Sequence, residues 1–188
     1  MFVTPFALLA AADGSSAATN AGTFAILGAI VAAVRRKNAI GGWLFFFMWG
    51  VFLGCGFSLI QFAVDWRLYT PARWSDSTRY LMYVMSIAPL SAAFFGIAVT
   101  CFMLLRTMEW SWAELLRIAL IVYICLICVS VAVDYLYFPR SLPARVASLL
   151  FPGLFLGYTY YSLRFQMVFQ THDWKGSIVT ASLFGGRS

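Results

Sequence analysis

The chain has 188 residues, of which 62% are hydrophobic, 18% are aromatic and only 11% are charged, and its formal net charge is +6. Soluble domains carry roughly 25% charged residues, so this composition excludes a water-exposed surface around most of the chain. The cations stand at the ends of apolar runs and not in one patch, which fits membrane topology and argues against nucleic acid as a partner.

The N-terminal segment, residues 1–37, contains an apolar run at 20–34 that ends at the cations Arg35, Arg36 and Lys37. Counted from about residue 17, the run reaches the ~20 residues that a helix needs to cross ~30 Å of hydrocarbon. We therefore predict a short transmembrane helix followed by a basic stop. The residues before it are similar to a signal-peptide core but lack a basic start, and an interfacial or re-entrant piece is the alternative for them.

Four longer apolar runs follow within 38–169 and predict four transmembrane helices. Strands are excluded because the runs show no alternation of polar and apolar residues, and a bilayer offers the backbone no water. The predicted spans cover 41–64, 80–105, 114–138 and 146–161. The last continues amphipathically towards Phe169. The predicted fold class is thus an all-α polytopic membrane bundle, with four principal helices and the short N-terminal fifth.

Two polar segments frame this four-helix bundle. The loop at 65–80 mixes Trp, Tyr, Arg and Asp, which predicts an interfacial anchor, with a recognition loop for a partner or lipid head as the alternative. The C-terminal tail, 170–188, is polar and holds the only histidine, His172. One histidine cannot supply two axial haem ligands, and no cluster has metal-ligand spacing, so we expect a solvated histidine and no metal site.

The distribution of cations predicts the orientation in the membrane, since cytoplasmic loops carry an excess of Lys and Arg. With five spans, the richer side carries Arg35, Arg36, Lys37, Arg106, Arg117, Arg164, Lys175 and Arg187. The opposite side carries Arg67, Arg73, Arg79, Arg140 and Arg145. We predict a multi-pass protein of the bacterial inner membrane with its C-terminus in the cytoplasm.

Small residues at a spacing of four predict faces where helices approach closely, either within the bundle or against another subunit. These positions are Gly50, Gly54, Ala92, Gly96, Gly153 and Gly157. A second set is predicted to anchor the chain at headgroup depth: Trp43, Trp66, Trp74 and Arg164. Pro89 and Pro152 are expected to kink their helices, unless Pro152 marks a late helix start.

Cysteine and carboxylate side chains are the candidates for chemistry. Cys125 and Cys128 form a CxxC, which in a quinone-linked thiol oxidoreductase would carry the reaction. Such a dithiol needs the aqueous edge, where a thiolate can form, but this pair lies mid-run. We therefore expect both thiols, like Cys55 and Cys101, to be buried as small apolar groups. Asp134 is expected to be solvated at the interface.

The alternative for Asp134 is an ionic latch with Arg140 or Arg79. Apart from this residue the predicted bilayer interior holds almost no charge, so the usual parts of a proton or ion relay are missing. This disfavours an ion-coupled transporter, while a channel or a lipid-handling protein stays open.

Two short motifs carry a resemblance to a known family. The opening IGGWLFFFMWGVFLG at 40–54 and the close YTYYSLRFQMVF at 158–169 resemble the bacterial membrane family called domain of unknown function 2569. The family's opening is matched by Gly41, Gly42 and Trp43, and its close by Tyr161, Ser162, Arg164 and Phe169. The resemblance covers about 39–169 and implies a four-helix membrane unit. It implies no activity, cofactor or catalytic residue.

The leading functional prediction is an accessory or scaffold subunit of a larger membrane complex, with no chemistry of its own. The alternatives are the thiol oxidoreductase and a transporter of lipid or a small solute, for which Asp134 would matter. Membrane lipids and a larger complex are the predicted partners. We expect no cofactor of its own, and a lipid, quinone or pigment bound at an interface stays open.

Overall fold

A computed structural model describes residues 26–31, 34, 42–64 and 69–171, and every regular element among them is helical. The α-helices are α1 (Trp43–Val64), α2 (Ser77–Thr107), α3 (Trp110–Tyr137), α4 (Leu142–Ala147), α5 (Leu150–Tyr161) and α6 (Leu163–Gln166). A 3₁₀ turn at Pro71–Arg73 precedes α2, and a π-helical turn at Met167–Thr171 follows α6. The all-helical prediction is confirmed for this part of the chain.

Three helices, α1, α2 and α3, are each long and apolar enough to cross a membrane. Helices are thus confirmed at the positions of the spans predicted at 41–64, 80–105 and 114–138. The fourth predicted span is not one straight helix, because Leu142–Tyr161 and Leu163–Gln170 meet at a bend of 66°. The described residues therefore contain three candidate spans, or four if the bent pair counts as one.

Sequence signals explain the breaks in the fourth span. Pro152 lies in the first turn of α5, where the backbone N–H that proline lacks would have no partner within the helix. Of its two predicted roles, a kink or a late helix start, Pro152 therefore has the second. At the bend, Ser162 is extended, and its hydroxyl accepts a hydrogen bond from the Phe165 N–H at 3.3 Å. A serine in this position stops α5 and caps α6.

The predicted N-terminal span falls mostly outside the described residues. Within it, residues 26–31 are helical. A Cβ on Gly28 would lie 3.1 Å from the Trp49 ring and 3.5 Å from the Phe46 ring. This helical piece therefore lies directly against α1.

The outer surface of the long helices is apolar. Only 33%, 39% and 28% of the residues in the candidate spans of α1, α2 and α3 are buried inside the protein. The side chains left outside include Phe52, Met85, Val99, Phe102, Ile118, Val122 and Val129, all more than one-third exposed. A water-soluble protein rarely exposes so large an apolar area, so these faces are suited to lipid. The structure thus supports a membrane-spanning bundle.

The central unit of the bundle is an antiparallel hairpin of α2 and α3. Asp76 caps the start of α2 by accepting hydrogen bonds from the N–H groups of Thr78 and Arg79. At the far end, Met108 takes a left-handed conformation with φ 57° and donates its N–H to the Leu104 carbonyl. Such a C-cap ends α2 and lets α3 begin two residues later.

Helix α1 packs against α5 through aromatic rings. The rings of Phe47 and Phe155 are stacked at 4.8 Å and nearly parallel. Gly50 lets the Phe151 ring approach so closely that a Cβ there would lie 2.7 Å from it. In lipid, where burial itself gains little, this close packing is what holds helices together. The resulting core continues between α2 and α3 through Leu90, Phe94, Ile97, Leu104, Leu116, Leu120 and Ile127.

Candidate functional site

The bundle has two ends of different chemistry. At the cavity end, the start of α2, the end of α3, the turn after it and Arg145 of α4 surround a cavity. At the Arg117 end, the turn between α2 and α3 meets the end of α5 and the start of α6. Each end holds one arginine drawn into the protein, Arg145 at the cavity end and Arg117 at the other.

The cavity end is built around a buried ion pair. The Arg145 Nε donates a hydrogen bond to the Asp134 Oδ2 at 3.0 Å. Asp134 is 3% exposed and Arg145 is 6% exposed. Asp134 stands one turn before the end of α3, and Arg145 lies in α4, so the bond ties the two helices across their connecting turn.

The predictions for Asp134 are therefore corrected. The carboxylate is not solvated at an interface, and its partner is neither Arg140 nor Arg79. Pro139 lies in the turn that follows α3, and Pro143 lies in the first turn of α4, where a proline fits without loss of a hydrogen bond. The reversal of the chain at this turn brings Arg145 onto the carboxylate, and both groups are buried.

Beside this ion pair lies a half-open cavity of about 620 Å³. Its lining residues are Trp74, Arg79, Tyr83, Ser86, Ile87, Asp134, Tyr137, Phe138, Pro139, Arg140, Ser141 and Arg145. Aromatic rings form one wall. The centre of the Tyr83 ring lies 5.1 Å from that of Trp74 and 6.2 Å from that of Phe138. The volume falls within the ~300–1,000 Å³ of typical small-molecule sites.

One face of α2 forms a wall of the cavity. Four residues of α2 line the cavity, and successive ones are four, three and one positions apart: Arg79, Tyr83, Ser86 and Ile87. This spacing places them on the same side of the helix. At the inner end of this face, the hydroxyls of Ser86 and Ser130 are 2.5 Å apart and join α2 to α3. This wall thus has a charged rim at Arg79, an aromatic middle at Tyr83 and a polar floor at Ser86.

The Arg117 end accommodates its arginine without a carboxylate. The Arg117 Nη2 donates to the Thr159 carbonyl of α5. Its guanidinium lies 4.7 Å from the Trp110 ring centre and 4.6 Å from that of Tyr160. The phenyl ring of Phe165 stands farther off, at 5.8 Å. Aromatic faces attract a cation electrostatically, so this cluster holds α3, α5 and α6 together.

The predicted redox pair lies on the outer surface of α3. Cys125 and Cys128 are both exposed, so the expectation that they pack inside the bundle is wrong. They share one face of α3 because they are three residues apart. Cys101 is buried and Cys55 is half-buried, and among the described residues all four cysteines are free thiols. The exposed pair faces the region where lipid would lie.

The small residues predicted to pack fall into two groups. Gly50 contacts Phe151 as described above, and Gly54 is buried. In contrast, a Cβ on Gly96, Gly153 or Gly157 would meet no described atom within 4 Å, and Ala92 is exposed. Only the first group serves packing within the described bundle.

The predicted interfacial anchors are also distributed. Trp43 is 66% exposed at the start of α1. It follows Gly42, whose φ of +61° turns the chain into the helix. Arg164 is half-buried near this turn, its Nη1 3.5 Å from where a Cβ on Gly42 would be. Trp74 contributes instead to the cavity wall, and Trp66 lies outside the described residues.

The described residues hold no group of three or more His, Cys, Asp or Glu side chains that could bind a metal ion. His172 and the rest of the C-terminal tail lie outside them. The class defined by the fold is a helical bundle with membrane-spanning character. No family model matches the sequence, and no curated protein or solved structure shows significant similarity to it.

Sequence reasoning missed the pairing of Arg145 and the cavity. One signal was present: polar residues recur at helical spacing at Arg79, Tyr83 and Ser86, and again at Ser130 and Asp134. In two otherwise apolar helices, such stripes predict a shared polar interior. The partner of Asp134 could not be predicted, because it depends on how α4 folds back.

Proposed function

We propose that this protein is an accessory or scaffold subunit of a larger membrane complex, acting through helix contacts and not through chemistry of its own. The observation that carries the proposal is the outward position of Ala92, Gly96, Gly153 and Gly157. Small residues at a spacing of four let a helix of another protein approach closely in lipid. Inside the described bundle these residues have no such neighbour.

Two faces of the bundle would serve this contact. On α2, Ala92 and Gly96 are exposed, and on α5, Gly153 is exposed and Gly157 half-exposed. Leu154, beside the α5 pair, is 65% exposed and would add apolar area to the contact. Under this proposal the protein sits in the bacterial inner membrane with the Arg117 end and the C-terminus in the cytoplasm, as its cation distribution favours.

A variant pair tests the proposal. Gly153→Leu with Gly157→Leu fills the outward face of α5, whereas Ala132→Leu places a leucine side chain at an exposed position of α3. After extraction in mild detergent, native mass spectrometry of the wild type should show a second membrane protein bound. The α5 variant should lose it and the α3 variant should keep it. A wild-type protein that emerges as a lone monomer would contradict the proposal.

The thiol oxidoreductase is not favoured by the described geometry. Cys125 and Cys128 stand near the middle of α3, about 15 residues from its start, where a thiolate would have to form in hydrocarbon. No other described cysteine pair lies near an aqueous end to relay electrons. A lipid- or solute-handling function gains support from the cavity at Asp134.

A further inference from the structure

We propose that the cavity between α2, α3 and α4 binds an anionic amphiphile, with a phosphate-type oxyanion held at its arginine rim and an apolar portion against its aromatic wall. This inference does not depend on the accessory role. The cavity would bind such a ligand whether or not the outward glycines contact a partner.

The charges that line the cavity favour an anion. Arg79, Arg140 and Arg145 contribute three positive charges, and Asp134 contributes one negative charge. Asp134 is already bonded to Arg145, so the excess positive charge lies with the two rim arginines. Arg79 is held only loosely by Asp76, at 3.6 Å between exposed side chains. Such surface pairs are worth little, so an oxyanion can compete for Arg79.

The second rim arginine is better placed to receive a ligand. Arg140 is exposed in the turn between α3 and α4, and no ion pair joins it to a described residue. A guanidinium binds phosphate or carboxylate oxygens through two parallel N–H donors. Arg140 and Arg79 approach the cavity from different elements, so the oxyanion would bridge α2 and the turn.

The wall below the rim favours an apolar portion on the ligand. Phe138 packs edge to face against Trp74 and Tyr83, whose own rings are tilted to each other, and Ile87 lies further along α2. A site for a free inorganic anion has no use for this surface. A volume of about 620 Å³ accommodates a headgroup with the first methylenes of a chain, and the rest of the chain would extend beyond the cavity.

The buried ion pair gives the cavity its shape. Burying two charges is costly, and well-packed apolar residues would often hold two helices together as strongly as an ion pair does. Here the pair fixes α4 over the end of α3, so that Arg140 and Ser141 in the connecting turn face the cavity. The pair is therefore a positioning element for the rim, and the ligand itself contacts Arg79 and Arg140.

The experiment uses the full-length protein in nanodiscs of phosphatidylcholine. One arm adds phosphatidylglycerol and the other adds soluble glycerol 3-phosphate, and native mass spectrometry after release from the disc counts the bound molecules. We expect retention of phosphatidylglycerol over phosphatidylcholine. Retention of glycerol 3-phosphate without phosphatidylglycerol would support the oxyanion at the rim and overturn the apolar portion of the ligand. Retention of neither would overturn the proposal.

Matched variants locate the binding. Arg140→Gln removes a rim charge at an exposed position, and Arg106→Gln removes the same charge at the exposed far end of α2. Arg140→Gln should weaken binding about tenfold, because one charge-assisted hydrogen bond is lost, and Arg79→Gln should act in the same direction. Arg106→Gln should leave binding unchanged. Equal losses in Arg140→Gln and Arg106→Gln would show general charge attraction and overturn the site.

Discussion

The two ends of the bundle hold an arginine in different ways. At the cavity end, Arg145 is neutralised by the Asp134 carboxylate, and open space lies beside the pair. At the other end, Arg117 has a backbone carbonyl and the faces of Trp110 and Tyr160 around it. The first arrangement leaves a cavity between the helices, whereas in the second aromatic rings surround the guanidinium.

The two arginines therefore have different structural roles in a bundle with few charged residues. An arginine surrounded by rings holds three helices together. An arginine held by a carboxylate fixes only its own partner, so neighbouring polar groups can line a cavity. The cavity end is accordingly the candidate for binding, and the Arg117 end is a structural clasp.

The largest expected effect is at the ion pair. Asp134→Asn leaves the Arg145 charge buried without its counter-ion, which should lower the free energy of unfolding by about 3–5 kcal/mol. Unfolding by sodium dodecyl sulfate in mixed micelles, followed by circular dichroism, measures it. As the control, Arg79→Gln breaks only the exposed pair with Asp76 and should cost at most about 1 kcal/mol.

Removing both charges sharpens this test. Asp134→Leu combined with Arg145→Met should recover most of the lost stability, because no buried charge stays unpaired. A double variant as unstable as Asp134→Asn would show that the pair is not the cause of the loss.

The apolar middle of the bundle provides a reference for both ends. Gly50→Ala places a Cβ 2.7 Å from the Phe151 ring, so this ring or the helices beside it must shift, at a cost of about 1–3 kcal/mol. Gly153→Ala, in open space on α5, should change the stability of the isolated protein by less than about 1 kcal/mol. The same micelle titration compares the two, and equal losses would contradict the packing of α1 on α5.

At the Arg117 end we expect a smaller loss. Arg117→Lys keeps the charge but removes the planar group between Trp110 and Tyr160, which should cost about 1–2 kcal/mol. Arg106→Lys, at an exposed position, is the matched control and should be neutral. Tryptophan fluorescence should shift with the first substitution only. A neutral Arg117→Lys would remove the distinction between the two ends.

The smallest expected effect is at the floor of the cavity. Ser86→Ala leaves the Ser130 hydroxyl without its partner and should cost about 1 kcal/mol. The double substitution Ser86→Ala with Ser130→Ala should cost less than the sum of the two single ones, since neither hydroxyl is then left unpaired. Strict additivity of the two single losses would show that the hydroxyls do not interact.

The sequence predicted the membrane helices because composition and run length determine them locally. The same local logic offered a helix start at Pro152 as the alternative to a kink, and the structure has the helix start. It failed for the cysteines, because a CxxC in an apolar run looks the same whether its face turns inward or towards lipid. It also failed for Asp134, whose partner lies 11 residues away in a helix that reverses direction. Which residues meet across a turn is set by packing, and no local pattern records it.

Whether lipid covers the outer face of α3 can be tested most directly with the thiols on that face. Cys125 and Cys128 are exposed on the outer face of that helix. In intact membranes a charged, water-soluble maleimide should leave both unmodified until detergent unfolds the protein, while Ser75→Cys in the exposed loop before α2 should react at once. Rapid modification of Cys125 and Cys128 in intact membranes would place that face in water and contradict the account.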